Sequence, residues 1–234
     1  MSSPAPRRMD LTARATLRAG ATRVLIVDGH PIVRRGLVSL LERQHDLSVC
    51  GEAEGAAEAM KLISEFQPQL VLLELPLRNG SGLDLVKELS SAEPAPKVLV
   101  FSHCDERLFA ERVLRAGAMG FLSKTASLES ILTAIRRVLA DRIYLSEPMA
   151  EQMVSRAVRG NGAEKVSPVS TLSDRELQVF ELLGKGVPTR QIAQHLVLSP
   201  KTIETYRENI KLKLNLRNGS ELTRHAVQWV LERS

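Results

Sequence analysis

The chain has 234 residues, 44% of them apolar and 25% charged, with a formal net charge of +5. That length exceeds one ordinary domain, and the composition is globular rather than low-complexity or disordered. No apolar run approaches the ~20 residues that cross a bilayer, no compact apolar segment near the start precedes a small-residue cleavage site, and two cysteines cannot build a disulfide framework. The expectation is two domains and no membrane partner, with Cys50 and Cys104 as buried, reduced thiols.

Residues 1–22 hold Pro4, Pro6, four Arg and one Asp without periodicity, and read as a flexible basic tail. The same Arg-rich composition fits a transit peptide, a reading the regular elements downstream disfavour. Residues 23–145 are close to neutral, with 15 basic and 16 acidic side chains, whereas residues 146–234 carry 13 basic and 10 acidic ones. A basic C-terminal part suits nucleic-acid contact there.

From Arg23 strand and helix patterns alternate. Val24–Val27, Leu47–Ala53, Leu70–Leu73, Lys97–Phe101 and Gly120–Leu122 are short apolar runs of the kind expected of strands buried on both faces. Helical spacing appears between and after them: Ile32 to Leu41, Ala56–Phe66, Leu83–Ser90, Glu106–Ala116 and Leu128 to Leu139. Five such units predict an α/β domain with a five-stranded, doubly wound parallel sheet over residues 23–142. Ligands of such sheets gather beyond the strands' carboxyl ends, where Asp28, Glu74, Ser102 and Lys124 stand.

Residues 143–168 form a predicted linker with a helix at Glu147–Val158, then Gly160-Asn161-Gly162 and Ser167-Pro168. Residues 169–234 predict an all-α domain of four helices. Ser173-Asp174-Arg175-Glu176 is a capping box opening the first, which ends near Gly184–Gly186. A second runs from about Thr189 to Leu196. Ser199-Pro200 supplies an N-cap and a first-turn proline for a third, to about Leu214. The last spans about Glu221–Glu232.

VLIVDGHPIVRRG (Val24–Gly36), LVLLELPLRNGSG (Leu70–Gly82), VLVFS (Val98–Ser102) and GAMGFLSK (Gly117–Lys124) resemble, in order and spacing, the landmarks of receiver domains in NarL/FixJ-class response regulators, over nearly all of residues 23–140. The resemblance implies a flavodoxin-like fold and a pocket that accepts a phosphoryl group on aspartate, with an acidic pair for Mg²⁺, a hydroxyl residue and a lysine. Ser102 matches the hydroxyl, Lys124 the lysine and Phe121 the aromatic position that reports the switch. Two positions depart from the pattern: Gly29 replaces the second metal-binding acid, and Glu74 replaces the acceptor aspartate. Arg78 also stands where a proline is usual. Losing a carboxylate weakens Mg²⁺ binding, and the extra methylene of Glu74 moves its carboxylate about 1.5 Å, a displacement that in-line transfer tolerates poorly. The expectation is a degenerate receiver that binds no Mg²⁺ and works without phosphorylation. Glu74 then either imitates a phosphorylated aspartate near Lys124 and Ser102, or pairs with Lys124 and stabilises the fold without signalling.

LSDRELQVFELLGKG, RQIAQHL, SPKTIETYRENIKLKLNLRN and SELTRHAVQW, across Leu172–Val230, resemble the LuxR-type helix-turn-helix domain. Ile192, Ala193, Leu196, Ile203, Ile210 and Leu214 are the expected packing set, and Tyr206 and Trp229 belong to packing rather than stacking. Lys201, Glu204, Thr205, Glu208 and Lys211 share one face of the third helix, the polar stripe a recognition helix turns to the major groove. The resemblance places Glu204, Thr205 and Glu208 at base edges, where Thr offers a methyl to thymine and Glu accepts from cytosine. Lys201, Thr202, Arg207, Lys211 and Lys213 are the candidates for phosphate contacts.

Together these readings predict a bacterial, cytoplasmic transcription regulator, not an enzyme, that binds double-stranded DNA as a homodimer. A regulatory protein at the receiver is a possible further partner. A conventional phosphorelay switch, and an interaction module with vestigial DNA binding, are the alternatives. A hydrolase is disfavoured because no nucleophile elbow or Ser/His/Asp set accompanies the sheet, and His30, His103 and His195 have no metal-type spacing.

Overall fold

The computed structural model describes residues 18, 20–77, 81–159, 168–196 and 198–232. Most of the basic tail, Arg78 and the Gly160-Asn161-Gly162 stretch lie outside them. The first domain alternates β1 (Thr22–Val27), α1 (Pro31–Glu42), β2 (Leu47–Ala53), α2 (Ala56–Phe66), β3 (Leu70–Leu73), α3 (Gly82–Ser90), β4 (Lys97–Ser102), α4 (Glu106–Arg115), β5 (Gly120–Ser123) and α5 (Leu128–Leu139). All pairings are parallel and the strand order is β2-β1-β3-β4-β5. The expected five-stranded, doubly wound sheet is present, with element ends within a residue or two of those read from the sequence.

The continuous apolar strands follow from burial on both faces. In β1, Val24 and Ile26 face a cluster with Leu37, Leu41, Ile131 and Ile135, while Leu25 and Val27 face a second with Val86, Phe109 and Val113. The same alternation divides β3 and β4, so the sheet is the middle layer between α1/α5 and α2/α3/α4. β1 and β3 are adjacent, which brings the loops that follow them, with Asp28 and Glu74, to one end of the sheet.

Beyond α5 the chain returns to the sheet. Tyr144 bridges Gly120 in parallel, donating its amide to the Met119 carbonyl at 3.0 Å and accepting from Phe121 at 3.0 Å. Gly120 permits this: a Cβ there would lie 2.6 Å from the Tyr144 carbonyl oxygen.

α6 (Glu147–Arg159) packs Met149 onto the α4 side of the first domain. A 3₁₀ turn (Pro168–Thr171) opens the second domain, with Val169 and Leu172 buried in its core. Then come α7 (Asp174–Gly184), α8 (Thr189–Leu196), α9 (Pro200–Leu214) and α10 (Gly219–Leu231). The predicted capping box is formed: the Ser173 hydroxyl accepts from the Glu176 amide and Glu176 Oε2 from the Ser173 amide. Ser199 caps α9 with Pro200 in its first turn. α10 starts two residues earlier than expected because the Asn218 side chain accepts from the Glu221 amide at 2.9 Å. Phe180, Ile192, Ala193, Leu196, Ile203, Ile210, Leu222, Ala226 and Trp229 form the core, with Phe180 set edge-on to Trp229 at 5.3 Å.

Candidate functional site

At the carboxyl end of the sheet, β1 delivers Asp28, β3 Glu74, β4 Ser102, and the turn after β5 Lys124. The Lys124 amide donates to the Ser102 carbonyl and the Glu74 amide to the Val27 carbonyl, both at 2.9 Å, so the sheet itself fixes their approach. The Lys124 ammonium bridges Asp28 Oδ2 at 2.5 Å and Glu74 Oε2. Glu74 Oε1 accepts from the Ser102 hydroxyl and from the Leu75 amide at 2.8 Å. Ser102 Oγ in turn accepts from the Cys104 amide at 3.1 Å. The Lys124, Asp28 and Glu74 side chains are at most 3% exposed, where an ion pair is little screened by solvent.

Two further groups shape the pocket. Asp28 Oδ1 accepts from the His30 amide at 2.8 Å and lies 3.0 Å from His30 Nδ1. Arg34 donates to the Asp28 carbonyl at 2.7 Å and pairs with Glu52 and Glu54, pinning the loop after β1 to the end of β2. No sequence spacing announces the Arg34 contact. Gly82 allows the loop after Glu74 to close, since a Cβ there would stand 2.5 Å from the Glu74 carbonyl oxygen. Phe121 is fully buried in the apolar cluster with Phe109 and Val113. Burial pushes the neighbouring Cys104 thiol well above its ordinary pKa, helped by the charges of Glu181 and Glu74, so it stays protonated.

The receiver pattern implies Mg²⁺ at this pocket, and the donors this chain offers differ from that pattern. Each oxygen of Asp28 and Glu74 is already engaged, Gly29 brings no carboxylate, and the third donor within 4.8 Å of both acids is the His30 imidazole. Mg²⁺ favours oxygen ligands in a near-ideal octahedron.

In the second domain the predicted recognition stripe is exposed at Lys201, Glu204, Thr205 and Glu208 on α9. Glu204 pairs with Arg207 at 3.5 Å and Glu208 with Lys211 at 2.8 Å, so each acid on this face carries its own cation. Thr205 commits its hydroxyl to the Lys201 carbonyl at 3.1 Å, and Thr202 Oγ1 lies 2.8 Å from the Ser199 hydroxyl. Arg207 also donates to Thr189 Oγ1 on α8 at 2.7 Å. Lys213, a phosphate-contact candidate in the sequence, is exposed and sets its ammonium 2.6 Å from Glu176 Oε2 on α7.

Burial alone would raise the Glu176 pKa. The Lys213 ammonium and the Ser173 amide and hydroxyl outweigh it and hold the carboxyl below its ordinary value. A group with a lowered folded-state pKa stabilises above its ordinary value and loses that contribution as pH falls through the folded one. Lys213→Met is therefore expected to destabilise the second domain by about 1–2 kcal/mol at neutral pH. Urea unfolding at pH 7 and pH 3 checks this: the gap to wild type should close at the lower pH.

Among the described residues no helix is long and apolar enough to cross a membrane. Residues 24–136 match the family model of the response regulator receiver domain, and residues 170–226 that of the bacterial regulatory proteins of the luxR family. The chain is 34% identical to the response regulator GacA of Pseudomonas aeruginosa over 206 residues, covering 88% of this chain and 95% of that one. It is 37% identical to the transcriptional activator protein ExaE of Pseudomonas putida, with the same coverage. Its fold is similar to RcsB from Salmonella enterica serovar Typhimurium, solved bound to promoter rprA in the presence of phosphomimetic BeF3-, at TM-score 0.60 and 22% identity over 88% of this chain and 98% of that one.

Proposed function

The chain belongs to the two-component response regulators that join a receiver to a LuxR-family DNA-binding domain, and on that premise we propose that it regulates transcription without phosphorylation, its Glu74 carboxylate standing in for a phosphoryl group. One observation carries the reading: Ser102 donates to Glu74 while Lys124 bridges Glu74 and Asp28, so the hydroxyl and the lysine that would meet a phosphoryl group already hold a carboxylate. Gly29, standing where the receiver pattern has its second metal-binding acid, supports the same reading. Output passes through α9, with Glu204, Thr205 and Glu208 at base edges and Lys201, Thr202, Arg207 and Lys211 at the phosphates, and with two copies reading two half-sites.

The test is fluorescence anisotropy with a duplex enriched from a random library by the full-length protein, with and without Mg²⁺ and BeF3-. Wild-type affinity is expected to stay within about twofold, while Gly29→Asp/Glu74→Asp should gain a response of about tenfold, or 1.4 kcal/mol. A tenfold response by the wild-type protein would restore the conventional phosphorelay reading.

A further inference from the structure

The two domains meet where the last turns of α4 reach the start of α7. Arg112 on α4 donates to Asp174 Oδ1 at 2.7 Å and to the Leu172 carbonyl at 2.9 Å, gripping the chain on both sides of Ser173. Lys87 on α3 approaches the other Asp174 oxygen at 3.6 Å. Around this contact the apolar core is continuous, including Phe109 and Val113 from α4 with Leu172 and Leu177 from the second domain. The Arg112 and Asp174 side chains are 21% and 26% exposed, sheltered enough for a bidentate grip on carboxylate and carbonyl to matter.

What Arg112 grips is the first turn of α7, and that turn is tied to the recognition helix. The Ser173 amide and the Lys213 ammonium both meet the same atom, Glu176 Oε2, at 2.6 Å. Any shift of residues 172–174 therefore reaches the last turn of α9 through two charge-assisted bonds. Meanwhile Lys201, Glu204, Thr205 and Glu208 remain exposed with the domains docked. The contact presents the reading face of α9 rather than covering it.

We propose that Arg112 and Asp174 are positioning residues for DNA recognition: the receiver, through them, holds the DNA-binding domain in an orientation competent to read its site. The proposal rests on α9 as the reading helix and is independent of whether the pocket uses phosphate.

The test is a double-mutant cycle in the full-length protein, with the library-enriched duplex and a scrambled duplex of equal length as probes. Arg112→Ala, a change in the receiver, is expected to weaken selective binding about five- to tenfold, as a coupling of this kind carries. Asp174→Ala should do the same. The double variant should be no worse than either single one, because the pair acts as a unit. Binding to the scrambled duplex should not change, which distinguishes lost orientation from lost folding. Unchanged or tighter selective binding by Arg112→Ala, or additive losses in the double variant, would overturn the proposal. A wild-type protein without selective binding would overturn α9 as the reader, and the present proposal with it. A wild-type response to BeF3- would overturn only the phosphate-independent reading.

Discussion

Lys124→Met is expected to destabilise the receiver by about 3–5 kcal/mol, the usual result of removing one partner from a buried ion pair. The ammonium is the cation that meets both Asp28 Oδ2 and Glu74 Oε2, and all three side chains are at most 3% exposed. Methionine fills a similar volume but leaves two carboxylates facing each other in a region of low dielectric. Their remaining hydrogen bonds, from His30, Ser102 and the Leu75 amide, stabilise each acid separately and do nothing for the repulsion between them. Glu74→Gln added to Lys124→Met should recover part of the loss by removing one charge. Urea unfolding of the three proteins at neutral pH decides the matter. A loss below about 1 kcal/mol, the range of an exposed pair, would contradict the closed three-way contact.

Phe180→Ala should remove about 3–5 kcal/mol from the DNA-binding domain, the range for deleting a large buried aromatic ring. Phe180 is fully buried at the centre of the four helices and stands edge-on to Trp229 at 5.3 Å and 62°. The cavity would open between α7 and α10, where the helices approach so closely that a Cβ on Gly184 would lie 2.4 Å from the Ala226 carbonyl oxygen. Trp229 is the chain's single tryptophan, so its emission reports this domain alone. The expected result is a lower unfolding midpoint by tryptophan fluorescence, a receiver transition by circular dichroism that moves much less, and loss of binding to selective and scrambled duplexes alike. Equal shifts in both transitions would mean that the domains unfold as one unit.

The receiver was legible because its signals are local. Each strand is a short apolar run, and the two departures from the family's acidic positions, Gly29 and Glu74, stand inside motifs whose neighbours fix their place. The helix-turn-helix caps at Ser173 and Ser199 were legible for the same reason, since a capping box is a four-residue pattern. What the sequence left open depends on residues brought together from afar. Asp28 as the second acid held by Lys124 follows from β1 and β3 being neighbours while Lys124 follows β5. The Lys213 pairing with Glu176, 37 residues earlier, has no local signature either, and only the crossing of α9 over α7 brings the two together. Arg112 and Asp174 lie 62 residues apart and carry no motif, and the interdomain grip has no signature in either segment. The 3₁₀ turn at Pro168–Thr171 carries no local pattern of its own, and what holds it is the burial of Val169 and Leu172 in the helical core.

The bridge between Tyr144 and Gly120 bears on how this protein can be divided. β5 ends the sheet, and an uncovered end strand offers free amides and carbonyls on which a foreign strand can grow. Tyr144 occupies that edge, taking the Phe121 amide and giving its own to Met119. A receiver fragment that stops at residue 142 would bare the edge and invite self-association, whereas one carried past Ser146 keeps it capped. The segment between the domains thus shields the sheet as well as tethering its neighbour.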